Sequence, residues 1–467
     1  MKTIKFFLIF FILITVFEVS YKLRARDYYK IPFPGQSLDE YSFSWVGLSL
    51  IELGYPVGFS GIKGYPFTVF RYINVDRIFN SGTAKGNPIA INYPWFDHPP
   101  TLGIITGGYA YLKGARVFED TGTFLIRKPM LIFGIISVVL VFLTALFLYG
   151  LKEAIAASLI YATSPIVVIG SRMVQAENGI IPFFLASILF LILYFKKNKE
   201  FWLWIAAFCA GISSLFKLSG IIAIMSGIAI ILLNKKNVVK ELAIFLSVSL
   251  AFFSLFWLYG AIYNFKVFLN ILKSNSSRFY GIGSNAFYSL LTSTKITNNQ
   301  YLTDGWPLAG WISLLILPFL KTKEDQTIFM TTILYLGVYL LFGSEQYGWY
   351  HFPFYPLLTI AIARIFCFSF EDLTKTLLGF SILLIPLGLH ISKIIDISNF
   401  QKFAKYWRIS IFALILFFIL PTLANSEKIK KISILYKAVL LIIFLFSIYL
   451  NIKYLLLINV DYWYFAT

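Results

Sequence analysis

Charge is scarce in this 467-residue chain: Asp, Glu, Lys and Arg together make up 13% of it, about half of the ~25% usual in soluble proteins. That shortage excludes an ordinary water-soluble domain. The 58% hydrophobic content and a mean hydropathy of +0.77 exclude it again, because soluble domains are only about 45–50% apolar. Acids are scarcer than bases, 22 against 40, which leaves a net charge of +18. In a soluble chain that excess would point to nucleic acid. Here many of the lysines fall in short loops between apolar runs, and no nucleic-acid partner is expected. Cysteine is nearly absent. Cys209 and Cys367 both fall inside apolar runs, which argues against a disulfide framework and a thiolate metal site. The three histidines, His98, His351 and His390, show no His-x-x-x-His spacing, so a histidine-based metal site lacks support. No small-x-small cleavage site follows the first apolar stretch, residues 6–20. It reads as a short first transmembrane helix with its N-terminus in the cytoplasm.

What the chain does have is apolar runs. Further spans are expected at roughly 129–149, 154–171, 178–195, 201–217, 219–233, 241–262, 306–320, 327–343, 353–370, 376–391, 408–423 and 433–458, each near the ~20 residues a crossing helix needs. The fold class is therefore an all-α polytopic membrane protein with about thirteen transmembrane helices. Two long stretches interrupt the series, 21–128 and 263–305. In the first, residues 41–53 and 101–112 are apolar but too short to span, and they read as helices lying at the interface. With these loops outside, the short loops facing the cytoplasm carry Lys152, Lys196, Lys197, Lys199, Lys235, Lys236, Lys240, Lys321, Lys323, Lys375, Lys428, Lys430 and Lys431. The facing short loops at 172–177, 217–219 and 344–352 are much poorer in lysine, the positive-inside pattern. The orientation puts both long loops on the extracytoplasmic side of a plasma (inner) membrane. No internal repeat is present.

Ionisable residues gather on that side: Asp39, Glu40, Asp97 and His98 in the first loop, Arg172 and Glu177 around a short turn, Lys217 at the outer end of its span, Arg278 in the second loop, and His351 at the start of the 353–370 span. Of the histidines, His390 is not placed with them. Each residue has a plain structural reading. Ser37-x-x-Glu40 is a capping box that opens a helix. Arg172 and Glu177 fit a structural ion pair across their turn, Lys217 an interfacial anchor, and His98-Pro99-Pro100 a turn before a helix. Asp39, Glu40 and Asp97 have the oxygens to hold a divalent cation, but no ligand cluster is evident. Charges strung through the membrane at mid-depth would suggest a transporter or a flippase of lipid-linked saccharides. Gathering at one face favours chemistry there.

The order of these elements resembles the GT-C superfamily of membrane glycosyltransferases, and within it the protein O-mannosyltransferases and the lipid A aminoarabinose transferases. The elements are Asp39-Glu40; His98-Pro99-Pro100; Gly122 leading to Arg127-Lys128-Pro129; Arg172 followed by Glu177; Phe216-Lys217-Leu218-Ser219-Gly220; Arg278-Phe279; and Tyr350-His351-Phe352-Pro353-Phe354-Tyr355-Pro356. The lysine element lacks the family's Gly-Pro, and Glu177 stands where Asp is common. The resemblance covers about residues 1–370, expected to form the catalytic region. Residues 371–467 add helices without a diagnostic motif.

The resemblance implies a GT-C type fold and an inverting transfer of a sugar from a polyprenyl-phosphate donor. The acceptor would be the hydroxyl of a protein, lipid or polysaccharide. It assigns Asp39 as general base, Glu40 to orient the acceptor or hold the helix cap, Lys217 and Arg278 to the donor phosphate, and Asp97, His98, Arg172, Glu177 and His351 to the lining of the site. It implies no cofactor.

Overall fold

The computed structural model describes residues 2–34, 38–66, 69–73, 89–234, 238–277, 284–292, 294–297, 300–342, 347–395, 397–423 and 432–461. Helix α1 (Lys2–Ala25) extends the expected first span at both ends. At 1.5 Å per residue its length is about 36 Å, enough for a hydrocarbon layer of about 30 Å.

Helices α2 (Asp39–Glu52) and α3 (Thr101–Leu112) are the two short helices anticipated in the first loop. They pack side by side, and their backbones nearly touch. A Cβ on Gly47 would stand 1.8 Å from the carbonyl oxygen of Gly103. Glycine is needed at both positions for the close approach, which lets Ser44 Oγ reach Thr106 Oγ1 at 3.0 Å. Ser37 lies outside the described residues. Leu38 is the N-cap of α2, without a side-chain cap bond.

Between α2 and α3 the all-α expectation needs amending. Strands β1 (Val69–Ile73) and β2 (Ile89–Asn92) pair antiparallel, with Ile73 opposite Ile89 and Val69 opposite Asn92.

From here the chain is helical. In order come α4 (Thr123–Ile126), α5 (Lys128–Leu148), α6 (Leu151–Thr163), α7 (Pro165–Gly170), α8 (Ala176–Lys197), α9 (Glu200–Ser214), α10 (Ile222–Asn234), α11 (Val239–Tyr263), α12 (Phe265–Ser276) and α13 (Ser284–Thr292). The series ends with α14 (Trp306–Leu320), α15 (Lys323–Phe342), α16 (Phe354–Phe368), α17 (Thr376–Ile394), α18 (Ile397–Leu423) and α19 (Ser433–Leu457). Among the described residues six segments are long and apolar enough to cross a membrane: Thr123–Leu148, Ala176–Lys197, Val239–Tyr263, Leu373–Ile394, Phe403–Leu423 and Ser433–Leu457. Four shorter apolar helices, Glu200–Ser214, Leu218–Asn234, Trp306–Leu320 and Phe354–Phe368, fall where crossings were expected. The molecule is thus a mostly helical polytopic membrane protein, with fewer full-length spans among the described residues than the thirteen expected.

A large core runs through the helices, including Phe184, Phe216 and Trp306. A second, smaller core joins the two long loops to the helix ends: Ile62 and Phe96 from the first loop, Leu215 after α9, Phe256 and Tyr259 of α11, and Val267, Phe268 and Ile271 of α12. Phe96 stacks edge-on against both Tyr259 and Phe268, at 5.5 Å between centroids in each case.

Candidate active site

Asp39 and Glu40 are neighbours in sequence with opposite environments. Both occupy the first turn of α2, where the positive end of the helix dipole favours a carboxylate. Asp39 is exposed, whereas Glu40 is buried. The oxygens of Glu40 are taken up by Arg127: Nε donates to Oε2 at 2.8 Å and Nη2 to Oε1 at 2.6 Å. The backbone N–H of Val174 also donates to Oε2, at 2.9 Å. Arg127 spends Nη1 on the carbonyls of Tyr28 and Pro32, both at 2.9 Å. Glu40 therefore ties the start of α2 to the start of α5 and to the turn before α8. With Glu40 so engaged, the oxygen set of Asp39, Glu40 and Asp97 does not assemble for a cation. Among the described residues no group of three or more His, Cys, Asp or Glu side chains is placed to hold one.

Arg127, absent from the sequence-derived site, is one of three buried arginines here. Arg24 donates to the carbonyls of Tyr161 and Ala162, at the C-terminal end of α6. Arg172 donates to Leu23 O at 2.7 Å and to Ile31 O at 3.1 Å. Each guanidinium satisfies carbonyls that helix ends or loops leave open. Burial pushes Arg172 down to about 9, and the charges of Arg127 and Arg24 add to the effect. The ion pair between Arg172 and Glu177 does not form, because Arg172 is held by carbonyls and Glu177 points elsewhere.

Glu177 pairs with Lys217. Its Oε1 lies 2.6 Å from Lys217 Nζ, with the carboxylate fully buried and 10% of the lysine side chain exposed. Lys217 is therefore a buried ion-pair partner and not a surface anchor. Among the described residues Oε2 of Glu177 is buried without a hydrogen-bond partner. Lys217 sits in the extended link between α9 and the single turn Leu218–Ile221, and its Nζ lies 4.0 Å from the centroid of the Tyr350 ring. The Tyr350 phenol is held above its ordinary value by burial first; Lys217 pulls it back, while Glu177 and Asp39 push it up. Tyr350 is thus the side chain on which the fields of Asp39, Glu177 and Lys217 converge. It stands in the family-like Tyr350–Pro356 stretch, but sequence reasoning gave it no role. Only the structure reveals its contact with Lys217.

The placement of Tyr350 depends on a glycine. A Cβ on Gly348 would stand 2.1 Å from the carbonyl oxygen of Lys295. The turn Gly348–His351 therefore rests on the end of the second loop. His351 is buried behind Tyr350, with Nε2 at 3.1 Å from the Tyr339 hydroxyl. Burial, with the charge of Lys295, pushes it down to about 4, so it is neutral at physiological pH.

Asp97 and His98 stand just ahead of α3. Asp97 Oδ1 accepts from Ser60 Oγ at 2.8 Å and from the Tyr65 hydroxyl at 2.6 Å, which organises the 59–66 loop. Its carbonyl accepts from Asn275 of α12, joining the two long loops. His98 stacks on Phe43 at 5.5 Å, one helical turn beyond Asp39. Arg278 lies outside the described residues.

His390 belongs with the second long loop after all. Its Nε2 is 3.3 Å from Oδ1 of Asp304, both side chains fully buried. Asp304 also accepts from Ser164 Oγ, Ile166 N and Trp306 N. Trp306 Nε1 donates to Asn451 of α19 at 3.0 Å. The C-terminal helices are therefore joined to the loop end by buried polar contacts, which the motif-free sequence after residue 370 did not announce.

Residues 97–259, about a third of the chain, match the family model for dolichyl-phosphate-mannose-protein mannosyltransferases. Among curated proteins none matches the chain. The fold is similar to that of ArnT from Cupriavidus metallidurans bound to undecaprenyl phosphate, at 12% identity and TM-score 0.52, covering 98% of this chain and 77% of that one. It is also similar to the archaeal oligosaccharyltransferase AglB from Archaeoglobus fulgidus in complex with an inhibitory peptide and a dolichol-phosphate. That match has 12% identity and TM-score 0.52 over 79% of this chain and 51% of AglB, so the chain spans about half of AglB's length. The arabinosyltransferase EmbB from Mycobacterium smegmatis is similar at 11% identity and TM-score 0.55, over 95% of this chain and 40% of that one. The architecture is thus shared over most of the chain: this protein has the polytopic membrane fold of ArnT, AglB and EmbB.

Proposed function

We propose that this protein is an inverting glycosyltransferase that moves a sugar from a polyprenyl-phosphate carrier to an acceptor hydroxyl at the outer membrane face. The observation that carries the reading is the buried Lys217 ammonium set over the Tyr350 ring at 4.0 Å, with the exposed carboxylate of Asp39 near enough to act on that phenol through its charge. The acceptor oxygen attacks the anomeric carbon from the side opposite the phosphate, and its proton passes to Asp39. The bond from the anomeric carbon to the phosphate oxygen breaks, and the electron pair leaves with the carrier phosphate. Lys217 and Arg278 stabilise the charge that grows there, the arginine in a fork geometry. Glu40 acts through Arg127, holding the first turn of α2 and hence Asp39 in place. Asp97, His98, Arg172 and His351 shape the surroundings. The polyprenyl phosphates named with ArnT and AglB support a carrier of this class. The acceptor is a protein, lipid or polysaccharide hydroxyl.

The finer topology belongs to the same reading: about thirteen crossings, the N-terminus in the cytoplasm, residues 1–370 as the catalytic region, and both long loops outside a plasma membrane. Lysine asymmetry between the short loops supports it.

The test is incubation of the purified chain with a panel of polyprenyl-phosphate-linked hexoses and pentoses. Release of the free carrier phosphate is expected with at least one donor, and Lys217→Ala should raise the donor KM. Failure to turn over every donor and acceptor hydroxyl in the panel would contradict the reading.

A further inference from the structure

The fold leaves the pair of Glu177 and Lys217 incomplete. Resting on the glycosyl-transfer reading above, we propose that Glu177 is a positioning residue that competes with the lipid phosphate for Lys217. The ammonium is handed between carboxylate and phosphate in each turnover, so the spent carrier is not retained.

Buried ion pairs are stable only when their remaining lone pairs and protons are satisfied. Glu40 meets that condition through Arg127 and Val174 N–H. Glu177 does not: Oε1 holds Lys217 at 2.6 Å, while Oε2 is buried without a partner among the described residues. Lys217 is also incompletely committed. An ammonium has three N–H donors and no acceptor. Glu177 engages one, Tyr350 engages another through its hydroxyl and offers its ring face at 4.0 Å, and the 10% of the lysine side chain that is exposed leaves a narrow open surface. A phosphate arriving from that surface meets a cation already neutralised by a carboxylate.

The charges of donor and product decide what this does. A sugar-linked carrier phosphate is a diester with one negative charge. Once the sugar has left it is a monoester, whose charge near neutral pH is about −1.5 to −2. A lysine without a counter-ion would hold the product more tightly than the donor. Glu177 opposes that preference by offering the ammonium a place to return to. Tyr350 gives Lys217 an aromatic face on which to rest during the exchange.

The experiment measures binding of a short-chain polyprenyl phosphate to the full chain in detergent, together with donor kinetics. Glu177→Gln removes the competing charge and keeps the shape. The variant is expected to bind the polyprenyl phosphate roughly tenfold or more tightly than the wild type, the scale at which buried charge pairs act. Both kcat and donor KM should fall as release slows. General damage to the site would instead weaken binding. Equal or weaker binding by folded Glu177→Gln overturns the proposal. If that variant does not fold, Glu177→Asp is the deciding one, because it draws the carboxylate back by one methylene: tighter binding than wild type supports the exchange, and unchanged or weaker binding overturns it. Wild-type protein that binds no polyprenyl phosphate would overturn both this proposal and the transfer reading beneath it. Wild-type binding with no gain in the variants would overturn the proposal alone.

Discussion

Two buried carboxylate–cation pairs flank the same turn, and they are built differently. Glu40 and Arg127 form a closed unit, with a two-point contact, a backbone N–H on the carboxylate and two carbonyls on the remaining guanidinium nitrogen. Glu177 and Lys217 form an open unit, with one contact to the carboxylate, one carboxylate oxygen without a partner among the described residues and a lysine side chain that is 10% exposed. The closed pair has nothing left to offer a ligand and serves as a joint between loop and helices. The open pair has bonding capacity to spare. Completeness of hydrogen bonding, more than charge or burial, separates the joint from the site.

Breaking the closed pair should have the largest effect. Arg127→Met strands a buried carboxylate, which should cost about 3–5 kcal/mol of stability. Thermal unfolding in detergent would show it as a large loss of folded protein, and an unchanged melting temperature would refute the joint. In the open pair, Lys217→Ala also strands a buried carboxylate and so costs stability, and in the protein that remains folded it should impair chemistry. A fall of about a hundredfold in kcat/KM for the donor is expected, the scale of losing one donor that stabilises developing charge. Gly348→Ala tests how Tyr350 is aimed. Its Cβ has no room beside Lys295 O, so the turn must shift at a cost of about 1–3 kcal/mol, and donor KM should rise by a smaller factor than with Lys217→Ala. His351 sets the lower bound. Its folded value, about 4, lies below the usual 6.5, so the neutral form is the one stabilised by folding. That contribution is complete above pH ~6.5 and is lost as pH falls toward 4. His351→Asn should therefore leave the shape of the pH–rate profile between 5 and 8 unchanged. A lost limb in that range would assign the titration to His351.

The sequence disclosed the membrane class through composition. It also disclosed the short helix at 101–112, whose observed bounds are Thr101–Leu112. It could not say that Asp39 and Glu40 point different ways, because the split depends on Arg127, which lies 87 residues farther along the chain. Arg172 and Glu177 looked like partners because they are close in sequence. Their real partners, the carbonyls of Leu23 and Ile31 and the ammonium of Lys217, come from distant segments. The β1–β2 pairing was masked by a Gly- and Pro-rich neighbourhood, and His390 by the lack of any motif around it. In each case the missing information was a long-range contact between residues that carry no local pattern.

Asp39 offers the most direct measurement, because it is the exposed member of the pair whose buried member, Glu40, is structural. Asp39→Asn keeps size and exposure and removes only the base. Sugar transfer from a polyprenyl-phosphate donor should fall by about 10²–10⁴-fold, the usual worth of a general base, with the melting temperature unchanged. Near-normal turnover by folded Asp39→Asn would contradict the assignment of the reaction to this site.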